Sequence, residues 1–184
     1  MKILYYCQNI WGIGHLFRSL EIIKALSKHE VVMVTGGEVI DIPLPRNVRE
    51  IHLPGISMDP NNINLLPTET ELSYAEAKQR RRTQFFDLFE KELPDLFVIE
   101  LYPFGRNAFR YELDPVLKAI RDKDLSECKV ICSLRDVLVE KRDPIEFEAR
   151  VIKRLNRWFD AVLVHSDPNV IKLDDRKDDF EIIQ

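Results

Sequence analysis

At 184 residues the chain is long enough to bury one well-cored domain, and its 45% hydrophobic and 32% charged content is that of an ordinary globular protein. A formal net charge of −4 removes any global electrostatic reason to expect nucleic acid or an anionic membrane as partner. The opening apolar run "KILYYC" is short and leads into a polar glycine loop, so it reads neither as a signal peptide nor as a membrane span, and a cytoplasmic location is expected.

In chain order, "KILYYC", "EVVMVTG", "VREIHL", "LFVIEL", "KVICSL" and "AVLVHS" are short apolar, β-branched runs that read as six buried strands. Helical patterns separate them. "HLFRSLEIIKALSKH" places Leu16, Leu20, Ile23 and Leu26 at helical spacing, with Phe17 and Ile22 widening the stripe. The patterns "ELSYAEAKQRRRTQFFDLFEKEL", "ELDPVLKAIRDK" and "PIEFEARVIKRLNRWF" precede the fourth, fifth and sixth strands. Strands alternating with helices predict an α/β fold over 1–184, a Rossmann-like, doubly wound, mostly parallel sheet with helices on both faces. "LPGISMDPNNINLLPTET" has prolines, glycine and asparagines without a period and reads as a long loop. Arg80, Arg81 and Arg82 read as a solvated helix face, the alternative being a local phosphate or membrane-surface contact. The tail "NVIKLDDRKDDFEIIQ" is highly charged and stops without another strand and helix.

Cys7, Cys128 and Cys132 are an odd set, and alternation puts Cys128 and Cys132 on the same side of a strand, as a buried, reduced pair. No ligand cluster at metal-binding spacing appears, so neither a metal nor another cofactor is assigned.

The junction "NIWGIGHLFRSLEIIKAL" carries the most chemistry. A glycine turn after the first strand lets a ligand approach the backbone, and the helix that follows offers free N–H groups and a positive dipole end. Phe17 stands where the dinucleotide fingerprint needs its third glycine, and no Gly-Lys-Ser/Thr follows, which argues against an NAD site and against a P-loop. What remains presents His15 in the first turn with Arg18 on the same side. Imidazole titrates near neutral pH and suits a general base acting on a hydroxyl; the alternative is a helix cap or a simple hydrogen-bond donor. Arg18 either pins a phosphate or carboxylate or forms a buried ion pair.

"GIGHLFRSLEIIKAL", together with "PDLFVIELYPFGRNAFRYEL", "VICSLRDVLVEK" and "FDAVLVHSDP", resembles the predicted glycosyltransferases related to the bacterial peptidoglycan GlcNAc transferase, in the two-domain GT-B superfamily. The resemblance spans nearly the whole chain. It implies the N-terminal, acceptor-side domain of a sugar transferase, with the C-terminal domain that holds a nucleotide-sugar donor lying outside these residues, on a continuation or a second chain. Alone, such a half is expected to be inactive, and a second copy is one way to cover its interdomain face. A nucleotide-sugar epimerase half and a non-catalytic binding module are the alternative functions. Gly12, Gly14 and His15 match the family's first glycine loop, which makes His15 the first candidate for a base. Trp11 and Ile13 flank the glycines where the peptidoglycan enzyme has a fuller glycine cluster, which argues against a lipid-diphosphate acceptor.

The other candidates sit where predicted strands end, the edge at which open α/β sheets bind ligands. Glu100, Gly105 and Arg106 follow the fourth strand, as an acceptor clamp or a structural Glu-Arg pair. Arg135 and Asp136 follow the fifth, again as a clamp or a salt bridge. His165 and Asp167 end the sixth, where "HSDP" also reads as a turn with Pro168 starting a crossover. Gly36 and Gly37 end the second, a further close backbone approach beside the first loop. Lys141 reads as solvated.

Overall fold

The computed structural model describes residues 1–10, 13–59, 61, 64–135, 143–165 and 181–183. Strands β1 (Lys2–Tyr6), β2 (Glu30–Thr35), β3 (Val48–His52), β6 (Leu96–Glu100), β7 (Lys129–Arg135), β8 (Ala161–His165) and β9 (Glu181–Ile183) form one sheet in the order β3-β2-β1-β6-β7-β8-β9. Every neighbouring pair in it runs parallel. Helices α1 (Gly14–Ala25), α2 (Tyr74–Glu92), α3 (Arg110–Asp122) and α4 (Pro144–Trp158) connect the strands. The Rossmann-like expectation holds, with all six strands where their apolar runs lie.

Alternation along β1 explains the two layers. Ile3, Tyr5 and Cys7 point to one face, where they pack with Leu16, Leu20 and Ile23 of α1 and with Val31 and Met33 of β2. Leu4 and Tyr6 point to the other, into a larger core with Phe85 and Phe89 of α2, Leu113 and Val116 of α3, and Val151 and Leu155 of α4. A strand covered on both faces needs apolar side chains at every position, which is why β1 reads as a run rather than as an alternation. Phe17 departs from the expected α1 stripe: it is 46% exposed, and Ser19 takes the buried position beside Leu16 and Leu20.

Helix ends follow local chemistry. Ser73 and Glu76 form a reciprocal capping box at the start of α2, and the Asp143 side chain accepts from the Glu146 N–H, with Pro144 in the first turn of α4. At α1 the cap residue is Ile13, which has no side-chain acceptor to offer, so among the described residues no side chain caps the first-turn N–H groups there.

Three readings of the sequence need correction. The stretch read as one long loop holds an antiparallel pair, β4 (Ile56–Met58) with β5 (Leu65–Pro67). The charged tail contains β9, which pairs with β8. Arg81 lies on no solvated face; it is fully buried, because it falls on the Ala77, Phe85, Phe89 stripe of α2. Arg81 donates from Nε and Nη2 to Glu112 at 2.8 and 2.6 Å, and further to the Gln8 side chain and to the backbone carbonyls of Gly36 and Pro54. Tyr6 also donates its hydroxyl to Glu112, at the Oε1 that accepts from Arg81 Nη2. This buried ionic knot ties α2 and α3 to the ends of β1 and β2. The three cysteines are free and buried, and burial raises the Cys7 thiol to about 12. Among the described residues no helix is long and apolar enough to cross a membrane.

Candidate active site

The strand order reverses between β1 and β6, and the loops leaving their carboxyl ends therefore splay apart into a crevice. His15, in the first turn of α1, and Glu100, the last residue of β6, meet at that crevice. Nδ1 of His15 lies 2.5 Å from Glu100 Oε1, and Arg106 Nε donates to Glu100 Oε2 at 3.1 Å. One carboxylate thus joins an imidazole to a guanidinium. The His15 side chain is 16% exposed, against 9% for Glu100 and 3% for Arg106, so the imidazole is the outermost member of the relay.

The electrostatics follow from this arrangement. Burial works to raise the Glu100 carboxyl, but the hydrogen bond from His15 and the charge of Arg106 outweigh it, and the net pKa lies below the ordinary glutamate value. Glu100 is therefore a carboxylate at neutral pH and only accepts. It holds the His15 proton on Nδ1, leaving the lone pair on Nε2, which hydrogen-bonds to no described residue.

The loop after β6 is built to deliver Arg106. Leu101 and Arg106 both have positive φ, 63° and 58°, a region that costs a non-glycine residue energy and persists only where the surroundings impose it. Gly105 donates its N–H to the Leu101 carbonyl at 2.7 Å, and a Cβ on Gly105 would come within 2.8 Å of the Leu101 side chain. The Tyr102–Pro103 peptide in this loop is cis.

A second polar chain lies alongside. Ser133, paired in register with Glu100, is within 3.1 Å of both the Tyr5 hydroxyl and His165 Nε2. His165 in turn stands in register with Arg135, whose Nε is buried without a hydrogen-bond partner among the described residues. Sequence reasoning missed Ser133 and Tyr5. Both sit inside apolar runs, and the only signal was a hydroxyl close to the carboxyl end of a strand.

The glycines play different parts. Among the described residues a Cβ on Gly14 would meet nothing within 4 Å, beside the start of α1, where no described side chain caps the helix. A Cβ on Gly36 would stand 2.2 Å from Arg81 Nη1, so this position makes room for the buried ionic knot. Gly37 packs against the backbone and side chain of Asn9, and Asn9 bonds the Gly37 N–H and the Glu38 carbonyl. The second loop is thereby fastened to the first. Arg18 stays exposed on α1, one turn beyond His15, and forms no ion pair with a described residue. Gly12, Asp136, Lys141, Asp167 and Pro168 lie outside the described residues. Beyond Gly37 opens a cleft of about 790 Å3, lined among others by Val39, His52, Met58, Leu66 and Glu69, where β4 and β5 fold over the ends of β2 and β3. Among the described residues no group of three His, Cys, Asp or Glu side chains is placed to hold a metal ion.

No family model matches the chain, and no curated protein does. Solved structures do. The chain is similar to apo UGT2 of Phytolacca americana at 12% identity and a TM-score of 0.51, over 92% of this chain and 46% of that one. The Streptomyces sp. SF2575 glycosyltransferase SsfS6, solved with thymidine diphosphate, aligns at 16% identity and a TM-score of 0.46, over 94% of this chain and 51% of that one. UGT73P12 of Glycyrrhiza uralensis, solved with glycyrrhetinic acid 3-O-monoglucuronide, aligns at 12% identity and a TM-score of 0.49, over 92% of this chain and 44% of that one. The chain spans about half the length of the solved structures it matches. It shares the parallel α/β, Rossmann-like fold of the matching part of apo UGT2.

Proposed function

We propose that this chain supplies the acceptor side of a glycosyltransferase, with His15 as the base that takes the proton from an acceptor hydroxyl. The observation that carries this reading is the His15, Glu100, Arg106 relay at the switch point of the sheet. Glu100 accepts from Nδ1 and so keeps the basic lone pair on Nε2, then stabilises the imidazolium that forms. Arg106 holds Glu100 ionised and in place. As the acceptor oxygen bonds to the anomeric carbon of the sugar, the bond from that carbon to the nucleoside diphosphate breaks, and His15 takes the hydroxyl proton. The uncapped first turn of α1, with Arg18 a turn further on, is suited to the negative charge that gathers on the departing diphosphate.

The cleft beyond Gly37 is the natural seat for the acceptor, since Gly37 is fastened to the β1 loop by Asn9. In this reading the donor nucleotide is held by a second domain, on a longer form of this polypeptide or on another chain. The correspondence with about half of each solved neighbour supports that division. The test is the intact mass and composition of the native gene product as isolated from its own cells, followed by its release of nucleoside diphosphate from a panel of nucleotide sugars. The reading requires acceptor-dependent release, and a native assembly that consumes none of the donors overturns it.

A further inference from the structure

The run Arg80 to Arg82 leaves one cation unexplained by the fold, because Arg81 turns into the core while Arg82 lines a groove between α2 and α3. We propose that this groove is a second ligand site, separate from the His15 relay, which binds the phosphate group of a soluble phosphorylated molecule.

Helical spacing builds the two walls. Tyr74, Lys78 and Arg82 recur every four residues along α2, and Tyr111, Pro115 and Lys118 face them from α3, enclosing about 770 Å3. Lys78 Nζ lies 4.6 Å from the Tyr111 ring centre and 5.5 Å from that of Tyr74, which holds its charge between the walls. Arg110, at the start of α3, lines this groove and also a smaller notch of about 170 Å3 that Arg150 and Arg154 of α4 complete. Six cations thus border two neighbouring concavities that share Asn107 and Arg110, in a chain whose net charge is −4.

The counter-charges are scarce. Asp114 is the one carboxylate among the residues lining either concavity, and it accepts from the Tyr102 hydroxyl. Lys118 and Arg150 pair with Asp122 and Glu146 one turn away on their own helices, in exposed contacts that exchange readily. Lys78, Arg82 and Arg110 form no ion pair with a described residue, and Arg154 Nε is buried without a hydrogen-bond partner among them. Guanidinium groups around a concave site are matched by the paired oxygens of a phosphate. A lipid surface fits less well. The large exposed apolar side chains, Met1, Ile13, Phe17, Val39, Leu66, Leu93 and Ile145, all lie outside the linings of both concavities, so no protruding apolar side chain of the kind that inserts into a bilayer accompanies the cations here.

The test is a titration of the isotope-labelled full chain with inorganic diphosphate against sodium chloride of equal ionic strength, read by amide chemical shifts. The proposal predicts saturable shifts centred on Lys78, Arg82 and Arg110. Arg82→Ala with Arg110→Ala should weaken the binding about tenfold or more, whereas Lys28→Ala, remote on the chain, should leave it unchanged. Both arginines are exposed, and the variant's own spectrum checks its fold; Arg110→Ala alone provides a milder variant with the same expected direction. In a parallel arm the chain is sedimented with phosphatidylcholine vesicles with and without phosphatidylglycerol. Shifts spread over the surface and indifferent to these substitutions would overturn the proposal, as would binding to the anionic vesicles without any to diphosphate.

Discussion

Glu100 binds His15 through one carboxylate oxygen at 2.5 Å and Arg106 through the other at 3.1 Å, so a single buried charge sets both the tautomer of the imidazole and the direction of the guanidinium. This relationship has a pH signature. The folded-state pKa of Glu100 lies below its ordinary value despite burial, because His15 and Arg106 favour the ionised form. A depressed folded pKa contributes stability that is fully present above the unfolded value of about 4.3 and is lost as pH falls through the folded one. Resistance to urea unfolding should therefore fall as pH drops from about 5 to 3, and Glu100→Gln should flatten part of that loss. An acid limb identical in the two proteins would contradict it.

The Arg81–Glu112 pair yields a test of the core. Both side chains are fully buried, so removing one partner strands a charge without compensation. Arg81→Met is expected to lower the unfolding free energy by about 3–5 kcal/mol. Pairing it with Glu112→Leu should recover a good part of that loss. The check is a double-mutant cycle in urea, and losses that simply add would show that the two charges are not coupled.

Gly36→Ala probes the same knot from the backbone side. The added Cβ would stand 2.2 Å from Arg81 Nη1 and 2.7 Å from Gln8 Oε1, both held by several hydrogen bonds. Overpacking of this kind costs about 1–3 kcal/mol. By contrast, the Cβ of Gly14→Ala meets no described residue and should leave the urea midpoint nearly unchanged while impairing any ligand that approaches α1.

The parallel sheet was legible because its strands are short apolar runs, and the helices because their stripes recur at three and four residues. Arg81 was misread from composition, as part of a charge run, although its spacing told the truth: it continues Ala77, Phe85 and Phe89. Glu112 carries the same signature, standing four residues before the buried Val116. A charge on a buried stripe demands a partner, and the two stripes supply each other. The hairpin of β4 and β5 was hidden because strands of three residues are too short to show a period. At the site, strand-end position singled out His15, Glu100 and Arg106, while their mutual contact spans 85 residues of sequence and is a property of the strand order. Ser133 and Tyr5 stayed hidden because a buried hydroxyl in an apolar run looks like packing.

Glycosyl transfer by a His15 base stands or falls on kinetics. The decisive measurement is kcat and KM for nucleoside diphosphate release by the native assembly, beside those of His15→Ala. The account predicts a fall in kcat of about 100-fold or more with KM little changed, because the proton is taken at the transition state rather than in binding. An unaltered kcat would contradict it.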